Sequence, residues 1–195
     1  MFKKLFKRKG RVPDELRASA VKDMVYKNNS DLAIELAETY SYFQDAPWCS
    51  EPQRLYRNFA ARYPTAKFVL TVRNSDRWWS SVERWVQCAE SVGSKRKGSE
   101  KLQYYAAILG ADSTSKEDMI KAFEMHNAGV RNFFYDEIKE PSRLLEIDLT
   151  DSKWMNGNGW TAFCSFIGFQ HNCPTGNLPE KNKTPESCES LEIVK

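Results

Sequence analysis

The chain has 195 residues, 41% of them hydrophobic and 13% aromatic, with a formal net charge of +3. That length suits one hydrophobic core and is short for two. So mild a charge excludes a general nucleic-acid binder with a concentrated basic face, yet allows a local basic cleft for an anionic ligand. The five cysteines, Cys49, Cys88, Cys164, Cys173 and Cys188, are odd in number and show neither metal-ligand nor C-x-x-C spacing. They are therefore expected to stay reduced, in a cytoplasmic setting, with Cys164 as part of the core.

In chain order, Met1 to Lys9 is basic and lacks the apolar stretch of a signal peptide, and no segment is apolar enough to cross a membrane. Its Phe2, Leu5 and Phe6 allow weak contact with an anionic membrane surface, although a solvated terminus is the simpler expectation. Pro13 to Lys27 and Ser30 to Tyr40 read as helices, the second with the apolar stripe Leu32, Ala33, Leu36 and Ala37. Ser41 to Gln44 reads as a short strand. Ser50 is expected to cap a helix bearing Leu55, Tyr56, Phe59 and Tyr63, which Pro64 stops.

Lys67 to Val72 is β-branched and aromatic without alternation, the pattern of a strand buried on both faces of a parallel sheet. Ser75 or Asp76 is then expected to cap a helix with Trp78, Val82, Trp85, Val86 and Ala89 at helical spacing. The Lys95-Arg-Lys97-Gly98 cluster reads as a loop, Ser99 to Leu109 as a helix and Gly110 to Ser115 as a second loop. A longer helix from Lys116 to Ile138 carries Ile120, Phe123, Val130 and Phe134, and Arg143 to Asp148 reads as another buried strand. Trp160, Phe163, Cys164 and Ile167 mark a last core helix with Gly168 at its C′ position, followed by a polar tail after Asn182. Strands alternating with helices imply an α/β fold of three layers, α/β/α, around a central parallel sheet.

The junction from Lys67 to Ser81 concentrates the chemistry. Arg73 falls at the carboxyl end of its strand, where open α/β sheets bind ligands, and Ser81 follows eight residues later on the second turn of the helix. A guanidinium, unpaired helix amides and a hydroxyl together suit a phosphate. Taken alone, the segment is equally consistent with a surface ion pair at Arg73 and a solvated Ser81.

Several stretches extend this reading. They are Phe43-Gln-Asp45-Ala-Pro47-Trp48, Tyr63 to Asn74 with Trp78 and Ser81, His126-Asn-Ala-Gly-Val130 with Phe133-Phe134, Arg143 to Asp148, Trp160 to Gly168, and Leu178-Pro-Glu-Lys-Asn182. In this order, over roughly residues 30 to 183, the chain resembles the sulfotransferases that use 3′-phosphoadenosine 5′-phosphosulfate (PAPS), and within them the "sulfotransferase 4" group of P-loop proteins.

The resemblance implies a P-loop nucleotide hydrolase-like domain over residues 30–183, preceded by a basic segment and helix (1–29) and followed by a flexible tail (184–195). It implies transfer of a sulfuryl group from PAPS, without a metal, to a hydroxyl or amine of a small-molecule or carbohydrate acceptor. Arg73 and Ser81 would hold the 3′-phosphate, and Lys181 and Lys183 would close over the nucleotide phosphates. Asp45 would be the base, with an ordinary turn acid as the plainer alternative. Trp48, Trp78 and Trp79 would offer a stacking face, and His126 is expected to be a packed, hydrogen-bonded helix residue.

One feature departs from the pattern. The loop that would cradle the 5′-phosphosulfate, Gly-x-x-(Arg or Lys)-(Thr or Ser)-Gly-Thr-(Thr or Ser), is missing. Its nearest counterpart, Gly10-Arg-Val-Pro-Asp-Glu-Leu16, loses an amide donor at Pro13 and would repel an anion at Asp14 and Glu15. With Met1 to Lys9 too basic for a buried strand, the first β-loop-α unit is expected to be absent. Two classes follow: a PAPS-dependent sulfotransferase, or a noncatalytic nucleotide-binding or protein-interaction module on the same scaffold. A small kinase is disfavoured by the missing Walker lysine loop and the lack of an Asp pair for magnesium.

Overall fold

Apolar residues recurring every three to four positions become the buried stripes of successive helices in the computed structural model, which describes residues 9–27, 29–42, 49–52, 54–91, 98–148, 150–155, 158–169 and 173–176. The elements run β1 (Lys9–Arg11), α1 (Asp14–Lys27), α2 (Asp31–Thr39), β2 (Tyr40–Tyr42), α3 (Leu55–Arg62), β3 (Phe68–Val72), α4 (Ser75–Ser91), α5 (Gly98–Leu109), α6 (Lys116–Asn132), β4 (Leu144–Asp148), α7 (Ser152–Met155) and α8 (Asn158–Ile167). A π turn over Phe133–Glu137 extends α6. The fold is α/β, and its strands pair in parallel. Among the described residues they form two two-stranded ladders, β1 with β2 and β3 with β4.

Helix α3 sits between two cores because its apolar residues fall on two sides. Leu55 and Phe59 join Ala20 and Met24 of α1, Ala33, Leu36 and Ala37 of α2, and Val12. Tyr56 and Ala60 join Leu70 and Val72 of β3, Val130 of α6, and Phe133, Phe134 and Leu144. Helix α1 is thus part of the first core. Phe134 is fully buried, its ring 4.9 Å from that of Phe68, so the π turn locks onto the start of β3.

Arg143 ties these pieces together. Buried just ahead of β4, its guanidinium donates to the carbonyls of Ala60 at 3.0 Å, Tyr63 at 2.9 Å and Ala66 at 3.1 Å, and also to Glu140. These acceptors lie at and just beyond the end of α3, where helix carbonyls lack intrahelical partners. Satisfying them fixes the approach to β3 against the approach to β4, whose register runs from Phe68 opposite Leu144 to Val72 opposite Asp148.

Several expectations change. A strand does form near the N-terminus: Lys9–Arg11 pairs with β2, and the buried Val12 beside it anchors the segment in the first core. Strand β3 alternates. Leu70 and Val72 are buried while Val69 and Thr71 are exposed, because the two-residue period of a strand turns neighbours to opposite faces and α3 and α6 cover one of them.

The helix caps differ as well. Asn74 caps α4, its Oδ1 accepting from Arg77 N at 3.1 Å and its carbonyl from Trp78 N. Arg54, with φ of 46°, precedes α3, while Ser50 lies buried further upstream. On α4 the buried tryptophan is Trp79, whereas Trp85 is 41% exposed with Lys101 Nζ 4.3 Å from its ring centre. As expected, Gly168 follows α8 with φ of 75°, letting Phe169 N donate to the Cys164 carbonyl.

The cysteines also differ from expectation. Cys164 and Cys173 form a disulfide with Cα atoms 6.1 Å apart, and Cys88 is disulfide-bonded too. Cys173 follows Cys164 by nine residues, a separation that carries no disulfide signal of its own. Disulfides persist in oxidising surroundings, so the ground for placing the chain in a reducing cytoplasm falls away. Among the described residues no helix is long and apolar enough to cross a membrane.

Candidate functional site

Strands β3 and β4 end side by side, Val72 opposite Asp148. Beyond these ends the chain turns through Arg73 and Asn74 into α4. A cavity of about 340 Å³ opens there, lined by Val72, Arg73, Asn74 and Ser75, by Phe123, Glu124, Asn127 and Arg131 of α6, and by Glu146, Asp148 and Thr150. Its place at the carboxyl ends of parallel strands, beside a helix N-terminus, is the ligand position of open α/β sheets.

Most charges in the wall are paired within the protein. Arg131 grips Glu146 with two hydrogen bonds, Nε to Oε2 at 2.6 Å and Nη2 to Oε1 at 3.0 Å. That pairing raises the Arg131 pKa above its ordinary value. Ser75 Oγ donates to Glu124, joining the start of α4 to α6. Asp148 Oδ1 accepts from the Thr150 hydroxyl at 2.6 Å and from the Thr150 amide at 2.7 Å. Those bonds, the hydroxyl first, hold its carboxyl below the usual aspartate range.

Two buried polar atoms in the same wall have no such partner: Arg73 Nε and Asn127 Oδ1. Arg73 is therefore where the cavity presents its uncompensated positive charge. Its Nε is withdrawn from water without a protein acceptor while the residue as a whole is half-buried, so an anion on the guanidinium is the natural complement.

The low Asp148 pKa carries a consequence for pH. Its folded value is depressed, so its contribution to stability is present above the unfolded carboxylate pKa and is lost as pH falls through the lower folded one. Thr150→Val should move the Asp148 midpoint up toward that of an ordinary aspartate in a carboxyl carbon NMR titration. A midpoint that stays put would show that the Thr150 hydroxyl does not set it, since valine keeps the amide bond.

Of the residues singled out from sequence, Arg73 lines the cavity, whereas Ser81 is exposed on α4 and does not line it. Asp45, Trp48, Lys181 and Lys183 lie outside the described residues, as do the Lys95-Arg-Lys97 cluster and Leu178 to Asn182. Trp78 stacks on Phe123, ring centres 4.4 Å apart and planes at 7°, so one of its faces is already taken. His126 is packed as expected, its Nδ1 2.9 Å from Glu51 Oε2 and its ring edge-on to Tyr56. Asn127, Arg131, Glu146, Asp148 and Thr150 are not among the site residues expected from sequence, although Asn127, Glu146 and Asp148 fall in stretches that carry the resemblance. For Asp148 a signal existed: it ends the second buried strand, the same edge position that singled out Arg73.

A family model described as a sulfotransferase domain matches residues 11–187. The chain belongs to the sulfotransferase domain family. No curated protein and no solved structure matches it. The matched span opens at the end of β1 and includes every element from α1 to α8, so the cavity lies within the sulfotransferase domain. Membership makes sulfuryl transfer, in general terms, the chemistry of the fold. In this sulfotransferase domain the connection from β1 to α1 is only Val12-Pro13, too short to form a glycine-rich cradle. Among the described residues no group of three His, Cys, Asp or Glu side chains is placed to hold a metal ion.

Proposed function

We propose that the chain is a PAPS-dependent sulfotransferase that grips the 3′-phosphate of its donor through Arg73. The observation that carries this reading is the buried Arg73 Nε without a protein partner, in a cavity whose other arginine is neutralised by Glu146. By the family pattern, and although Ser81 lies outside the cavity lining, the reading keeps Ser81 as the second contact to that phosphate, with Lys181 and Lys183 closing over the nucleotide and Asp45 taking the proton. The acceptor hydroxyl or amine of a small molecule or carbohydrate attacks sulfur as the bond from sulfur to the bridging phosphate oxygen breaks. The leaving group is 3′-phosphoadenosine 5′-phosphate. Alignment of the two partners and stabilisation of charge on that oxygen do the catalytic work, with no metal required. The reading also takes the two parallel ladders as parts of one P-loop-like, three-layer arrangement.

The Val12-Pro13 connection favours a second reading, a noncatalytic nucleotide-binding module, because the oriented donors that the family places at the reacting group are missing there. Each such donor is worth a factor of roughly a hundred in rate. Calorimetry with 3′-phosphoadenosine 5′-phosphate, paired with an assay of its release from PAPS over a panel of hydroxyl and amine acceptors, separates the readings. Binding with turnover, unaffected by magnesium, is expected for the enzyme. Binding without turnover selects the module, and absence of binding rejects a nucleotide site altogether.

A further inference from the structure

Asn127 is 6% exposed, lines the cavity, and leaves its Oδ1 buried with no hydrogen-bond partner. Its polar neighbours in the wall behave differently: Glu124 is engaged by Ser75, Glu146 by Arg131 and Asp148 by Thr150. Only Arg73 Nε shares its condition among the cavity-lining residues described. The two orphaned atoms ask for opposite things. The guanidinium needs an acceptor, preferably an anion, whereas an amide oxygen needs an O–H or N–H donor.

A fully ionised phosphate offers only acceptors, so it completes Arg73 and leaves Asn127 unsatisfied. A phosphate ester with a hydroxyl on the adjacent carbon completes both, the Asn127 amide turning so that its oxygen, inaccessible in the structure, meets that hydroxyl. We propose that Asn127 accepts a hydrogen bond from a hydroxyl neighbouring the phosphate gripped by Arg73. Resting on the donor nucleotide assigned above, this hydroxyl is the ribose 2′-OH beside the 3′-phosphate. The site therefore distinguishes a ribose from a deoxyribose, because a donor analogue lacking that hydroxyl leaves a buried acceptor unpaired.

The test compares 3′-phosphoadenosine 5′-phosphate with its 2′-deoxy analogue by calorimetry, on the wild type and on Asn127→Leu, with circular-dichroism melting to verify folding. The wild type should prefer the ribose form by about tenfold. Asn127→Leu should bind both forms at the weaker affinity. Equal binding of the two forms by the wild type overturns the inference while leaving the nucleotide reading intact; it is also the result expected if the amide is turned to donate to the phosphate. A preference that persists in Asn127→Leu overturns it too, since another group must then read the hydroxyl. Failure of the wild type to bind either form rejects the nucleotide reading and this inference with it. Should Asn127→Leu not fold, Asn127→Ala supplies the same comparison, and the two ligands on the wild type already decide whether the hydroxyl is read.

Discussion

Arg73→Ala is expected to weaken binding of 3′-phosphoadenosine 5′-phosphate by about a hundredfold or more, because each hydrogen bond to a charged group contributes about 1.5–3 kcal/mol and a guanidinium can make two to one phosphate. The same substitution should leave stability almost unchanged. Arg73 Nε makes no hydrogen bond that the fold would lose, and deleting an unpaired, partly desolvated cation relieves a cost. This separation of binding from stability is the signature sought. Arg73→Lys should recover part of the affinity, since it keeps the charge but loses the planar fork. Calorimetry on the three proteins, with their melting curves, is the measurement. Affinity unchanged in Arg73→Ala would exclude the cavity as the nucleotide site, and a large fall in melting temperature would reveal a structural role instead.

Arg143→Met should show the converse, a loss of about 3–5 kcal/mol of stability, typical of breaking a buried charged network. The arginine satisfies three backbone carbonyls as well as Glu140, and its guanidinium carbon lies 5.6 Å from the centre of the Phe68 ring. Methionine fills similar space but leaves those carbonyls buried without donors. For a domain of this size the melting temperature should fall by about 10 °C. Arg143→Lys should rescue little, because one ammonium cannot span three acceptors that the guanidinium reaches from its Nε and Nη2. Urea unfolding monitored by circular dichroism reads the effect, and a change below about 1 kcal/mol would show that the end of α3 is held by other means.

These two arginines illustrate how unevenly sequence discloses structure. Arg73 was legible because its cue is local: an apolar run, a basic residue at its end and a helical pattern straight after. Arg143 was read only as the first residue of a strand. Its role depends on Ala60, Tyr63 and Ala66, which lie 83, 80 and 77 positions away. Asn127 belongs with it. One turn of a helical pattern says which residues share a face, but whether that face meets a strand end or solvent depends on where the helix packs. The cysteines make the same point, since no spacing rule pairs Cys164 with Cys173, whose Cα atoms the fold brings to 6.1 Å.

By itself the sequence determined the approximate positions of every helix but the short α7, the parallel strand that leads into Arg73 and the family to which the chain belongs. Each depends on spacing within a few turns or on motif order, and both are properties of the chain as written. Only the tertiary structure decided that β3 buries one face, that Arg131 is neutralised while Arg73 is not, and that Asn127 shares a cavity with it. Those outcomes depend on which groups meet across long loops and which are left unpaired there, and that is set by packing between elements rather than by any one of them.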